Sequence, residues 1–169
     1  RSPSELFSYP DSSIFRIFSD ERITADKPLA RELGCQVGDQ WVQISGLRTL
    51  GDEGMPICLA NVYVIPEYGS IAQRLGGSSR PVYEMIAEIF KESIENITIR
   101  LTAGVLSEQK AAVLGVEPGS PSLSVSRFYQ GSGGRIFEAS ISEHPASNFS
   151  YNFEFTRGWQ TADHWSWNN

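Results

Sequence analysis

The sequence predicts an α+β domain, an antiparallel sheet with helices packed on it. Three observations carry that expectation. Apolar segments of strand length recur between clusters of Gly, Pro, Ser and Asp. Glycine-bearing turns at Gly51–Gly54 and Gly131–Gly134 each separate two such segments, as in antiparallel hairpins. Between some of the strands lie short stretches with helical spacing and recognisable caps.

Residues 1–12 hold Pro3, Pro10 and scattered serines without a period, and read as a linker or N-terminal arm where a preceding domain would attach. Ile14-Phe-Arg-Ile-Phe18 has strand composition. Asp26 is placed to cap a helix over Lys27–Leu33, with Pro28 tolerated in its first turn and Gly34 closing it. Trp41, Ile44 and Leu47 sit among polar residues up to Thr49; after the Gly51-Asp-Glu-Gly54 turn comes the apolar run Ile57–Ile65, closed by Pro66. Pro81 opens a helix in which Val82, Met85, Ile86, Ile89 and Phe90 form one apolar face, away from Glu84, Glu88, Lys91 and Glu92. Ile97–Val105 alternates as a strand, Ser107 caps Glu108–Leu114, Gly115 ends that helix, and Pro118-Gly119 turns the chain. Leu123–Tyr129 and Ile136–Ser142 flank Gly131-Ser-Gly-Gly134, whose glycines tolerate the positive φ of a tight hairpin. Tyr151, Phe153 and Phe155 alternate as one face of a last strand. The expected organisation is an arm over 1–12, one domain over 13–157 and a Trp-rich tail over 158–169, whose Trp159, Trp165 and Trp167 suit a covered sheet edge, a dimer seam or a lid over a ligand.

A chain of 169 residues, 40% apolar and 20% charged, is long enough for one domain with a substantial core. Asp and Glu number 20 against 14 Lys and Arg, a net charge of −6, so attraction to a phosphate backbone is not the activity of this chain by itself. No stretch approaches the roughly 18 apolar residues of a membrane helix, and Arg1-Ser-Pro-Ser-Glu-Leu6 lacks a signal-peptide layout, which points to the cytoplasm. Cys35 and Cys58 have no metal-ligand spacing and read as free thiols. Asn96-Ile-Thr98 and Asn148-Phe-Ser150 are glycosylation sequons only in a secreted chain.

Phosphate-loop, dinucleotide, zinc-protease and nucleophile-elbow motifs are missing, and His144 and His164 stand apart without a metal-selecting pattern, so neither cofactor nor metal is expected. Arg48 ends a strand just before a turn, where it either reaches a pocket and holds a carboxylate or phosphate, or pairs at the surface. For Arg127 a structural ion pair fits better, and Arg100 reads as a surface residue. Glu138, between Phe137 and Ala139, either faces outward or faces inward and needs a ligand amine, a hydroxyl or an arginine to offset its burial. Ser78-Ser79-Arg80-Pro81 and Tyr83 make a helix start that either binds an anion or is capped by Ser79. Tyr129, Phe137 and Phe149 suit a core or a pocket wall.

Taken in order, the segments Leu29-Ala-Arg-Glu-Leu33, Val37-Gly38, Gly46-Leu-Arg48, Met55-Pro56, Tyr63-Val-Ile-Pro66, Val82-Tyr-Glu84, Leu114-Gly-Val-Glu-Pro-Gly-Ser-Pro121, Arg127-Phe-Tyr129 and Glu138-Ala-Ser140 resemble the UTRA domain of GntR-superfamily bacterial transcription regulators, HutC-like branch. The resemblance covers Ile23 to Phe155. It implies a chorismate lyase-like fold, no catalysis, a homodimer, and a small-molecule effector bound between sheet and helices. It further implies that Arg48, Ser78, Ser79, Tyr83, Tyr129 and Glu138 line that site. The effector, expected to be anionic, would modulate DNA binding by a winged helix-turn-helix that lies N-terminal to the domain and outside this chain. Two departures weaken a doubly charged phosphate as effector. The R-x-R element here reads Gly46-Leu-Arg48, and Pro81 stands where relatives place a serine. A chorismate lyase-like enzyme acting on a small carboxylic acid, and a ligand-free dimerisation module, are the alternatives.

Overall fold

The computed structural model describes residues 13–51 and 54–152. They form one six-stranded sheet in the order β1-β2-β3-β6-β5-β4, antiparallel throughout. The strands are β1 (Ser13–Thr24), β2 (Gln40–Leu50), β3 (Met55–Val64), β4 (Asn96–Val105), β5 (Pro121–Gln130) and β6 (Ile136–Pro145). The helices are α1 (Lys27–Leu33), α2 (Ala72–Leu75), α3 (Val82–Phe90) and α4 (Glu108–Leu114), with a 3₁₀ stretch at Pro66–Ile71. None of them is long and apolar enough to cross a membrane.

Local chemistry sets the bounds of α1 and α4. Asp26 Oδ1 accepts from Leu29 N at 2.9 Å and Gly34 closes α1 at φ 68°. Ser107 Oγ accepts from Lys110 N and Gly115 closes α4 at φ 70°. A side-chain oxygen thus takes an orphan N–H at one end, and a left-handed glycine satisfies carbonyls at the other.

β1 runs well past the expected Ile14–Phe18, pairing with β2 from Ser13↔Leu50 to Thr24↔Gln40. Its second half, Ser19-Asp-Glu-Arg22, is exposed at the sheet edge, where polar side chains carry no alternation to read. Tyr151 lies outside any strand, while Phe153, Phe155, the 1–12 arm and the 158–169 tail fall outside the described residues.

The pleat sorts the side chains onto two faces. Across β1, β2, β3, β6 and β5 the register puts Phe15, Arg48, Ala60, Val62, Ser142, Ser140, Glu138, Arg127 and Tyr129 on one face. There the start of α3 covers the sheet, with Val82, Tyr83, Met85 and Ile86 buried. On the other face Leu106, Ala111 and Leu114 of the α4 region pack on Leu47 and Leu59. Leu33 of α1, fully buried, lies beside Phe128 and Ile136 on that side. Cys58 is buried in the core and Cys35 is partly buried against it.

Candidate functional site

A cavity of about 50 Å³ lies between the first face of the sheet and the start of α3. From the α3 side Ser79, Pro81, Val82 and Tyr83 line it; from the sheet side it is lined by Arg48, Arg127, Tyr129, Glu138, Ser140 and Ser142, with Phe15, Ala60 and Val62 as apolar wall.

Arg48 is 7% exposed. Its pairing slips between Arg48↔Cys58 and Thr49↔Pro56, a bulge at the proline of β3, which cannot donate to the ladder. The guanidinium carbon stands 5.5 Å from the centre of the Phe15 ring. Phe15 comes that close because Gly46 has no side chain: a Cβ there would meet its ring at 2.9 Å and lie closer still to the Arg16 carbonyl oxygen. The missing arginine of the R-x-R element is therefore matched by the way β1 lies against β2.

Tyr83 stacks on Tyr129, ring centres 4.6 Å apart and planes 19° from parallel, which joins α3 to β5 over the cavity. Ser79 does not cap α3. Pro81 is the cap residue and no side chain bonds the first turn, so the positive end of the helix is presented beside the cavity. Ser78 stands behind the wall: its carbonyl accepts from Phe15 N at 3.1 Å and its hydroxyl accepts from Arg80 N at 3.1 Å.

Glu138 sits between Val64 of β3 and Tyr129 of β5 and is 2% exposed. Its Oε2 is buried and finds no hydrogen-bond partner among the described residues. Burial pushes its carboxyl up to about 8, against the pull of the Arg127 guanidinium toward ionisation. Arg127, 5% exposed, lies directly opposite Ser140 and diagonally from Glu138. Two guanidinium groups and an acid held largely neutral thus face one cavity inside an acidic chain.

Arg127, Ser140 and Ser142 were not singled out from the sequence as cavity residues. The period-2 rule applied to Tyr129 and Glu138 marks all three. Phe137 is core and Tyr129 is both core and cavity wall. Phe149 stacks on His144, ring centres 3.7 Å apart. His144 is fully buried, with Nδ1 3.1 Å from the Leu123 carbonyl, and burial pushes it down to about 4. Arg100 is exposed and stands 5.4 Å over the Phe128 ring.

The opposite face carries a second hollow, lined by Glu32, Asn61, Tyr63, Lys110 and Glu143 among others. Asn61, Tyr63, Lys110 and one oxygen of Glu143 are hydrogen-bonded there, while Glu143 Oε2 finds no partner among the described residues. Gln43 Nε2 donates to Asn61 Oδ1 (3.2 Å) and the Tyr63 hydroxyl (3.3 Å), Ser45 Oγ donates to Asn61 Oδ1 (2.6 Å), and Lys110 Nζ donates to Glu143 Oε1 (2.9 Å).

The UTRA domain family model matches residues 11–150. Among solved structures, a GntR-family transcriptional regulator from Bacillus cereus superposes with a TM-score of 0.71 at 18% identity, over 86% of this chain and 99% of that one. The effector domain of PhnF from Mycobacterium smegmatis gives 0.71 at 16% identity, over 86% and 88%. The PhnF structure from the same organism gives 0.70 at 16% identity, over 86% of this chain and 63% of that chain. At these identities the likeness is one of fold. No curated protein matches the sequence.

Proposed function

This chain belongs to the UTRA domain family, and from that premise we propose that the cavity beneath α3 binds the small-molecule effector of a GntR-family transcription regulator of the HutC-like branch. The domain is a ligand-binding regulatory one. One observation carries the assignment of the site: the buried Arg48, Arg127 and Glu138 line the same cavity beneath the start of α3.

The effector is compact and carries an anionic group. Arg48 and the uncapped start of α3, with Ser79 and Tyr83, receive that group; Tyr129 and Glu138 meet the other end; Ser78 holds the loop in place. Arg127 supports the anionic class, because it supplies a second guanidinium where Gly46 cannot. The domain works without catalysis, in the cytoplasm, as a homodimer. Effector binding favours one arrangement of the dimer and so resets the spacing of two N-terminal winged helix-turn-helix heads on operator DNA.

A thermal-shift screen of carboxylates, amines and sugar phosphates tests this, repeated with Arg48→Ala. The expected result is a stabilising carboxylate or phosphate whose shift is lost in R48A. An unchanged shift in that variant would remove Arg48 as the anchor, and a screen without any stabilising compound would remove the effector site.

A further inference from the structure

We propose that the Glu138 end of the cavity takes a hydrogen-bond acceptor of the effector, a carbonyl, carboxylate or phosphoryl oxygen, to which Glu138 donates as a neutral acid while Arg127 donates from the adjoining strand. This rests on the effector-binding function proposed above and names the chemistry of the ligand's second end.

The walls around Glu138 decide its protonation. β3 offers Val62 and Val64, and α3 offers Val82 and Tyr83. β5 offers Tyr129 directly opposite and Arg127 on the diagonal; Arg48 lies at the β2 end of the cavity, and Tyr83 donates to Glu84 Oε1. A buried carboxylate needs several donors, whereas a neutral acid needs one acceptor for its O–H. Oε2 finds no hydrogen-bond partner among the described residues, so the ligand can supply that acceptor. Arg127 by itself favours the ionised form, yet burial outweighs it, and the acid keeps its proton up to about pH 8.

Arg127 also sets the sign of what can enter. An ammonium group at this end would have to ionise Glu138 and sit beside a guanidinium of like charge. An acceptor oxygen instead receives the Glu138 O–H on one side and Arg127 N–H groups on the other, and a carboxylate gains their charge attraction too. Binding then moves no proton near pH 7, where Glu138 is already protonated. Above pH 8 binding takes up one proton, and affinity falls about tenfold per pH unit.

Succinate and 4-aminobutyrate make the test, since each brings a carboxylate for Arg48 and they differ in ending on a second carboxylate or an ammonium. In chain labelled with carbon-13 at the glutamate carboxyls, the Glu138 signal is identified by its loss in E138Q and followed by NMR through a pH titration. Through-bond assignment of the wild type gives the same signal should E138Q not fold. The expected result is a titration near pH 8 in the free chain, raised further by succinate and not by 4-aminobutyrate. E138Q, whose amide still donates, should bind succinate within about threefold of wild type at pH 7 and lose the tenfold-per-unit decline above pH 8.

A Glu138 signal titrating in the ordinary carboxylate range, a preference for 4-aminobutyrate that strengthens as pH rises, or a signal that neither probe moves would overturn the proposal. Hits in the metabolite screen combined with any of these would leave the effector site standing and remove only this account of Glu138.

Discussion

The two faces of the sheet treat their polar side chains differently. Behind α1 and α4, Gln43, Ser45, Asn61 and Tyr63 bond to one another, and the carboxylate there, Glu143, is 20% exposed and holds Lys110 through Oε1, although its Oε2, like that of Glu138, finds no hydrogen-bond partner among the described residues. Under α3, Glu138 is 2% exposed and its Oε2 has no hydrogen-bond partner among the described residues, nor does any lysine stand against it as Lys110 does against Glu143. The helices repeat the contrast: α1 and α4 are capped at both ends, whereas α3 starts with no side-chain cap. Polar groups that satisfy each other hold a fold together. A buried acid left waiting costs stability that a ligand can return.

The largest expected effect comes from forcing the first face toward its relatives. Gly46→Arg would restore the R-x-R pattern but drives a side chain into Phe15 and the Arg16 carbonyl. It should cost about 3 kcal/mol or more in urea unfolding, and a variant as stable as wild type would break the account of β1. Close behind is Leu33→Ala on the second face. That change should cost about 3 kcal/mol while leaving the ligand-induced rise in Tm as it was. Loss of the ligand shift along with the stability would mean that the faces are not independent.

Next is a pH effect confined to the cavity face. Glu138 is raised in the fold, so the stability it contributes is complete below about pH 4.5 and lost as pH rises toward 8. His144 is depressed and acts oppositely, losing stability as pH falls from 6.5 toward 4. The two offset each other between about 4.5 and 6.5. From 6.5 to 8 Glu138 acts alone, at about 1.4 kcal/mol per pH unit, for a fall on the order of 2 kcal/mol. Urea unfolding at pH 6.5 and pH 8 should show that fall in wild type and not in Glu138→Gln; equal slopes would place the titration elsewhere. The smallest effect belongs to Tyr63→Phe, which removes one partner of the Gln43 amide. Its expected cost is about 1 kcal/mol with no change in ligand response.

What the sequence disclosed and what it hid follow from the range of the forces involved. α1 and α4 were readable to the residue because Asp26 with Gly34 and Ser107 with Gly115 are local signals. The second half of β1 was not, since an edge strand can be polar on both sides. At the α3 start the sequence leaves two readings open, an anion site or a cap by Ser79; Pro81 takes the cap position and Ser79 lines the cavity. Tyr129 and Glu138 were named from their motifs, whereas Arg127, Ser140 and Ser142 needed knowledge of which pleat face is inward. The role of Gly46 could not be read locally, because the chain that fills its space is Phe15 and Arg16, some thirty residues earlier.

The loop ahead of α3 has one more property. Phe15 N donates to the Ser78 carbonyl and Gly77 N donates to the Phe15 carbonyl, so this loop is clasped to β1 by two main-chain hydrogen bonds. A ligand that pushes Ser79 outward must therefore drag β1 along or break the clasp. The loop that carries Ser78 and Ser79 and the start of β1 are thus one hydrogen-bonded unit, and a displacement of either is a displacement of both.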